Sequence, residues 1–213
     1  MFRPFRLGTL FGFPIEVRMS FLMLLAAVLF FMGGVPGLFL VLLAFASVIL
    51  HELGHALVAR HLGVGVSGIE LHFFGGMAKM MGQPKRAGDE IAIAAAGPAV
   101  SFMLSGLGFL AFQLSGLAVF ELLAWVNVVI GAFNLIPALP MDGGRILRAL
   151  LSLRIGFARA TDIAVKVSRV TSVAFAILGL AAGQIQLMLL SVVLWFLASG
   201  EARLAEAVRF RER

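Results

Sequence analysis

The sequence contains no cysteine. Disulfides are therefore excluded, and so is any metal site built on thiolates. Charge is the second scarcity. Only 13% of the 213 residues are Asp, Glu, Lys or Arg, whereas 61% are hydrophobic, and mean hydropathy is +1.05. Soluble domains are about half apolar and a quarter charged. A soluble core cannot absorb this excess, so most of the chain is expected in lipid. Long polar stretches are missing as well. Residues 1–213 therefore read as one domain, with no appended PDZ-like or CBS-like module. Despite a net charge of +6, no basic run is interleaved with aromatics, which argues against a nucleic-acid partner. The basic residues read instead as anchors at the cytoplasmic ends of membrane helices.

What is present is a series of apolar segments punctuated by Gly, Pro and charge. Residues 1–19 contain Gly8, Gly12 and Pro14 and suggest short strands or an interfacial segment. Arg3, Arg6 and Arg18 precede an apolar run from Ser20 to Met32. No small-x-small cleavage site follows it, so the run reads as a retained helix over 20–33 rather than a signal peptide. Gly33-Gly34-Val35-Pro36 is a turn, and a second helix is expected over 37–62. Six glycines scattered over 63–88 among β-branched and aromatic residues break the helical pattern, and 64–81 reads as a hairpin. Further helices are expected over 89–114, 118–134, 143–153, 160–182 and 185–200, followed by a charged tail. The expected class is an all-α polytopic membrane protein of about six spans, with a small β-hairpin or sheet near the cytosolic face.

Orientation follows from the basic residues. With six crossings, the turns at 33–36, 115–117 and 183–185 share one side, and none of the 17 Lys and Arg residues lies in them. The positive-inside rule then places both termini and the two long connections in the cytosol.

One helix carries an unusual cluster, His51-Glu52-Leu53-Gly54-His55. Residues four apart lie on one helical face, so the two imidazoles can ligate one zinc ion, with Glu52 beside them as general base. Ionisable groups are costly in hydrocarbon, and such a cluster is functional by default. A catalytic zinc takes three protein ligands and keeps one open position. The candidates for the third are His61, His72, Glu70, Glu121 and Asp142. His61 sits at a wrong helical angle, and the glycine of a His-x-x-Gly-x-x-His extension is missing because Val58 stands there. Asp142 is favoured. It follows Asn134-Leu-Ile-Pro137-Ala-Leu-Pro140-Met, a segment that cannot be one continuous helix. Irregular backbone at membrane depth is tolerated where it lines a cavity.

These two blocks together resemble the site-2 proteases, the intramembrane zinc metalloproteases of peptidase family M50. The resemblance rests on His51-Glu52-x-x-His55 and on Asn134-x-x-Pro137-x-x-x-x-Asp142-Gly143, with Asp142 87 positions after His55. Phe74-Gly75-Gly76 and Ala96-Gly97-Pro98 are similar too. Ser101 stands where family members commonly carry Asn, a small departure that touches no catalytic role. The resemblance implies one Zn2+ per chain, held by His51, His55 and Asp142. Glu52 would activate the water, and Asn134 would orient substrate or stabilise the oxyanion; as a plain sequence feature, Asn134 is also a common helix stop. Residues 75–76 lie in a region thought to offer a strand edge to substrate, though they also suit a simple turn. The implied substrate is a single-pass membrane protein, such as an anti-sigma factor or another membrane-tethered precursor, cut in or near its transmembrane segment.

Depth can be read from helix rise. His51 lies 14 residues past position 37, about 21 Å into a core roughly 30 Å thick. The metal is thus expected nearer the cytosolic face of the cell membrane. Two competing readings remain at this level: a transporter or channel whose His and Asp form an ion path, and an inactive scaffold that binds membrane helices.

Overall fold

The computed structural model describes residues 4–31, 33–73, 75–82, 84 and 86–211, with side chains through Glu201. The chain runs β1 (Phe5–Leu10), β2 (Phe13–Val17), α1 (Met19–Phe31), α2 (Gly34–His61), β3 (Val66–His72), β4 (Gly75–Met80), α3 (Ala87–Ser115), α4 (Ala118–Asn134), α5 (Asp142–Ile155), α6 (Phe157–Ala181) and α7 (Ile185–Arg211). The helices appear in the expected order and close to the expected bounds. Three of them, α2, α3 and α6, are long and apolar enough to cross a membrane. The helices Met19–Phe31, Ala118–Asn134 and Ile185–Glu201 are apolar but shorter. Phe74 of the Phe74-Gly75-Gly76 stretch lies outside the described residues.

Two features depart from expectation. The hairpin expected over 64–81 is half of a four-stranded sheet ordered β1-β2-β3-β4 in a mainly helical fold, and the strands β1 and β2 supply the other half. Its two halves join through a parallel pairing of β2 with β3, in the register Ile15↔Ile69, Glu16↔Glu70 and Val17↔Leu71. Parallel neighbours need a long crossover, here supplied by α1 and α2, and no local periodicity reveals such a pairing. The expected charged tail is instead a continuation of α7 to Arg211. Residues 201–209 are rich in Glu, Ala, Arg and Leu, all strong helix formers, so the helix continues after the apolar stretch ends.

Contacts divide the chain into two compact units, residues 1–84 with 96–132, and residues 85–95 with 133–213. In the first, Phe13, Ile15 and Ile69 of the sheet bury against Leu53 and Ala56 of α2. Val17 and Leu71 pack with Phe21 of α1. Full burial of a large apolar side chain is worth about 1.5–3 kcal/mol, so this seam fixes the rotation of α2 about its own axis. Small residues let α3 and α4 approach closely. A Cβ on Gly108 would sit 3.1 Å from that of Ala124, and one on Gly131 would sit 3.1 Å from the Phe102 ring. A buried hydrogen bond from Asn127 Nδ2 to Ser47 Oγ (2.9 Å) ties α4 to α2. On the sheet, the parallel register sets Glu70 beside Glu16. Glu70 is fully buried and ion-paired with Arg18 and Lys79, and Lys79 Nζ also reaches Glu16 Oε2 at 2.8 Å.

In the second unit, Leu139, Ala164 and Val165 form one cluster, and Ala138, Met141 and Leu194 another. The Leu139 N–H donates to Ser168 Oγ (2.7 Å), which anchors the Pro-rich segment on α6. The Arg148 guanidinium donates to Glu90 Oε1 (3.0 and 2.5 Å) and to Glu201 Oε2 (3.1 Å). One cation thereby joins the start of α3, α5 and α7.

Candidate metal centre

The motif helix presents different residues to three neighbours. Leu53 and Ala56 face the sheet. His51, Gly54 and His55 face α3. A Cβ on Gly54 would lie 2.8 Å from Ala96 O and from Val100 Cγ2, so the glycine inside the motif is what lets α2 and α3 come together. Glu52 faces β4, where Oε2 accepts the Ala78 backbone N–H at 2.9 Å.

This arrangement brings together the three motif side chains. One ligand atom from each of His51, Glu52 and His55 lies within 4.8 Å of the others, and both imidazoles are buried. The two rings sit edge-on, with centroids 4.9 Å apart and planes at 78°.

A feature of α3 tests whether a metal fits here. A Cβ added at Gly97 would fall 2.5 Å from His51 Nε2 and closer still to His55 Nε2. Both ring nitrogens therefore face a space that only a bare glycine leaves open. Two imidazoles and a nearby carboxylate, converging on a space kept clear of side chains, are the donor set of a zinc site.

Two residues of this site, Gly97 and Ser101, stand in the sequence without a sign of their role here. Gly97 lies ten residues inside α3. Ser101, one turn further on, places Oγ 2.9 Å from His51 Nδ1. The i, i+4 spacing of Gly97 and Ser101 could have marked a face matching that of His51 and His55.

The remaining candidates are placed as follows. Asp142 is the first residue of α5, buried, with Arg145 Nη1 3.5 Å from its carboxylate. A Cβ on Gly143 would lie 2.5 Å from Ile136 O. The Asp-Gly-Gly sequence thus packs the first turn of α5 directly on the preceding backbone and fixes where Asp142 emerges. Asn134 ends α4 and is half-buried. Both residues belong to the second compact unit. In the first unit, Glu70 is engaged by its two cations, and His61 is exposed at the end of α2. His72 is half-buried on β3. Burial, and then the Arg18 charge, hold its pKa below the ordinary histidine value, against an opposing pull from Glu52. Glu121 lies in the first turn of α4.

Comparison with known proteins identifies the family. The chain matches the Peptidase family M50 model over residues 38–118 and 111–175. It is 37% identical over 209 residues to the zinc metalloprotease MJ0392 of Methanocaldococcus jannaschii, covering 94% of this chain and 61% of that protein. It is 32% identical over 154 residues to the stage IV sporulation protein FB of Bacillus subtilis, covering 70% of this chain and 51% of that one. The chain thus spans between half and two thirds of the length of these two curated relatives. Its fold is similar to the solved structure of the site-2 protease from Methanocaldococcus jannaschii, with a TM-score of 0.73 and 36% identity over 94% of this chain and 95% of that one. The chain belongs to peptidase family M50.

Proposed function

We propose that this chain is an intramembrane zinc endopeptidase that cuts a membrane-tethered protein in or near its transmembrane segment. The observation that carries the reading is the convergence of buried His51 and His55 with Glu52 on a space cleared by Gly97. His51 and His55 would supply two zinc ligands and Asp142 the third. When bound, zinc supplies Lewis acidity, making a water acidic near neutral pH and polarising a peptide carbonyl.

The residues of the chain do the remaining work. Glu52 takes the proton of the attacking water and returns it to the leaving amine. The Ala78 N–H on one of its oxygens fixes the carboxylate's orientation and leaves the other oxygen for proton transfer. Asn134 is assigned to hold the substrate or its developing oxyanion.

A helical substrate must unwind before attack, because its carbonyls are shielded and hydrogen-bonded. β4 ends the sheet order, so one side of it has no strand partner among the described residues. A locally extended substrate could add there by β-augmentation. Such a strand would run beside Glu52, since Gly76 and Ala78 both pack on that residue.

We assign six crossings, α1 to α4, α6 and α7, with both termini, the sheet and the metal centre toward the cytosol. This topology is supported by the absence of Lys and Arg from the three opposing turns. The test is cleavage, in detergent, of a library of single-pass transmembrane segments tagged at both ends. Glu52→Gln should retain zinc and cut none of the segments cleaved by the unaltered protein. Cleavage that survives Glu52→Gln would rule out the mechanism.

A further inference from the structure

Ser101 is fully buried, and its hydroxyl lies 2.9 Å from His51 Nδ1. The other nitrogen of the same ring, Nε2, points with His55 Nε2 at the bare Cα of Gly97, one helical turn before Ser101. One face of α3 thus addresses both edges of the His51 ring, with a cleared space at Nε2 and a hydroxyl at Nδ1.

A neutral imidazole carries a proton on one nitrogen and a lone pair on the other. The hydrogen bond made by one nitrogen decides which form is present. If Ser101 donated to Nδ1, the ring proton would sit on Nε2, in the space that His55 Nε2 also faces. If Ser101 accepts from Nδ1–H, the Nε2 lone pair is aimed into that space. A serine hydroxyl has two lone pairs, so its oxygen can accept this N–H whichever way its own proton turns. His51 is 2% exposed, so bulk water cannot take over this role.

We infer that Ser101 is a positioning residue for the metal centre, accepting Nδ1–H of His51 and presenting Nε2 as the ligand atom. The inference rests on the zinc reading above and extends it to a residue on α3. Partners of this kind typically change metal affinity by about 10–100-fold when removed.

The test uses full-length protein in detergent with 15N-labelled histidine, where four histidines give at most four ring-nitrogen pairs. In the metal-free protein, His51 is expected as the Nδ1–H tautomer. In Ser101→Cys, which keeps the volume but is a weak acceptor, the ring should shift toward Nε2–H or a mixture. Zinc affinity, measured by competition with a chromophoric chelator, should fall about 10–100-fold and recover in Ser101→Thr. Ser101→Ala, which only removes an atom, repeats the comparison, and thermal unfolding separates loss of fold from loss of positioning. An unchanged His51 tautomer and unchanged zinc affinity in a folded Ser101→Cys or Ser101→Ala protein would overturn the inference. Failure of the unaltered protein to bind zinc would overturn the functional reading instead, and the metal-free tautomer comparison would still decide the role of Ser101.

Discussion

The backbone N–H of Ala78 ends on the carboxylate of Glu52, 2.9 Å away. This bond ties an edge strand to the motif helix, and it orients the proposed general base by a main-chain group. Ala78→Pro removes the donor. The N–H points away from the β3 ladder, so the sheet itself should survive. Because small misplacements of a reacting group are costly, cleavage is expected to drop about 10–100-fold with zinc content unchanged. Rates of tagged-segment cleavage, set against metal analysis of the same sample, check this.

Gly97→Ala would place a methyl group against both imidazole Nε2 atoms. The rings would have to swing away or the helices separate. Overpacking of this kind costs about 1–3 kcal/mol of stability, and zinc binding should fall beyond that cost because the ligand space itself is filled. Isothermal titration with zinc, alongside unfolding in detergent, measures the two effects separately.

Arg148 joins Glu90 and Glu201 and lies 5.1 Å over the Phe157 ring. Its side chain is 13% exposed and that of Glu90 8% exposed, so removing the cation strands a largely buried carboxylate. Arg148→Ala is expected to destabilise the protein by about 3 kcal/mol. The double variant Arg148→Met with Glu90→Gln should recover part of that loss. Unfolding midpoints in detergent test the pair.

His72 has a folded pKa below its ordinary value of 6.5, from burial first and the Arg18 charge second. The unfolded chain therefore binds this proton more readily. The His72 contribution to stability is complete above pH 6.5, is lost as pH falls through 6.5, and levels off below the folded pKa. Glu52 pulls the value upward, so Glu52→Gln should move the His72 midpoint further down. Titration of the imidazole resonance in both proteins, in the same metal state, checks the sign.

Much of this was legible in the sequence because membrane burial makes each irregularity conspicuous. Two histidines in an apolar helix, and Pro137 and Pro140 before Asp142, stand out against leucine and alanine. Helix bounds were readable for the same reason, since Gly33, Gly116 and Gly183 adopt positive φ between helices. The pairing of β2 with β3 was not readable, because its two strands are separated by α1 and α2 and each is only five to seven residues long. The roles of Gly97 and Ser101 were not readable for a different reason. One acts by lacking a side chain and the other through a single hydroxyl, and neither departs from what an apolar helix ordinarily contains.

The central claim is a zinc centre built from His51, His55 and Asp142, with Glu52 outside the ligand set. Zinc stoichiometry and affinity of the purified chain and four variants test it directly. The unaltered protein should hold one zinc per chain. His51→Ala, His55→Ala and Asp142→Ala should each lose it, and Glu52→Gln should keep it. A metal-free unaltered protein in zinc-containing buffer, or full affinity in Asp142→Ala, would contradict the account.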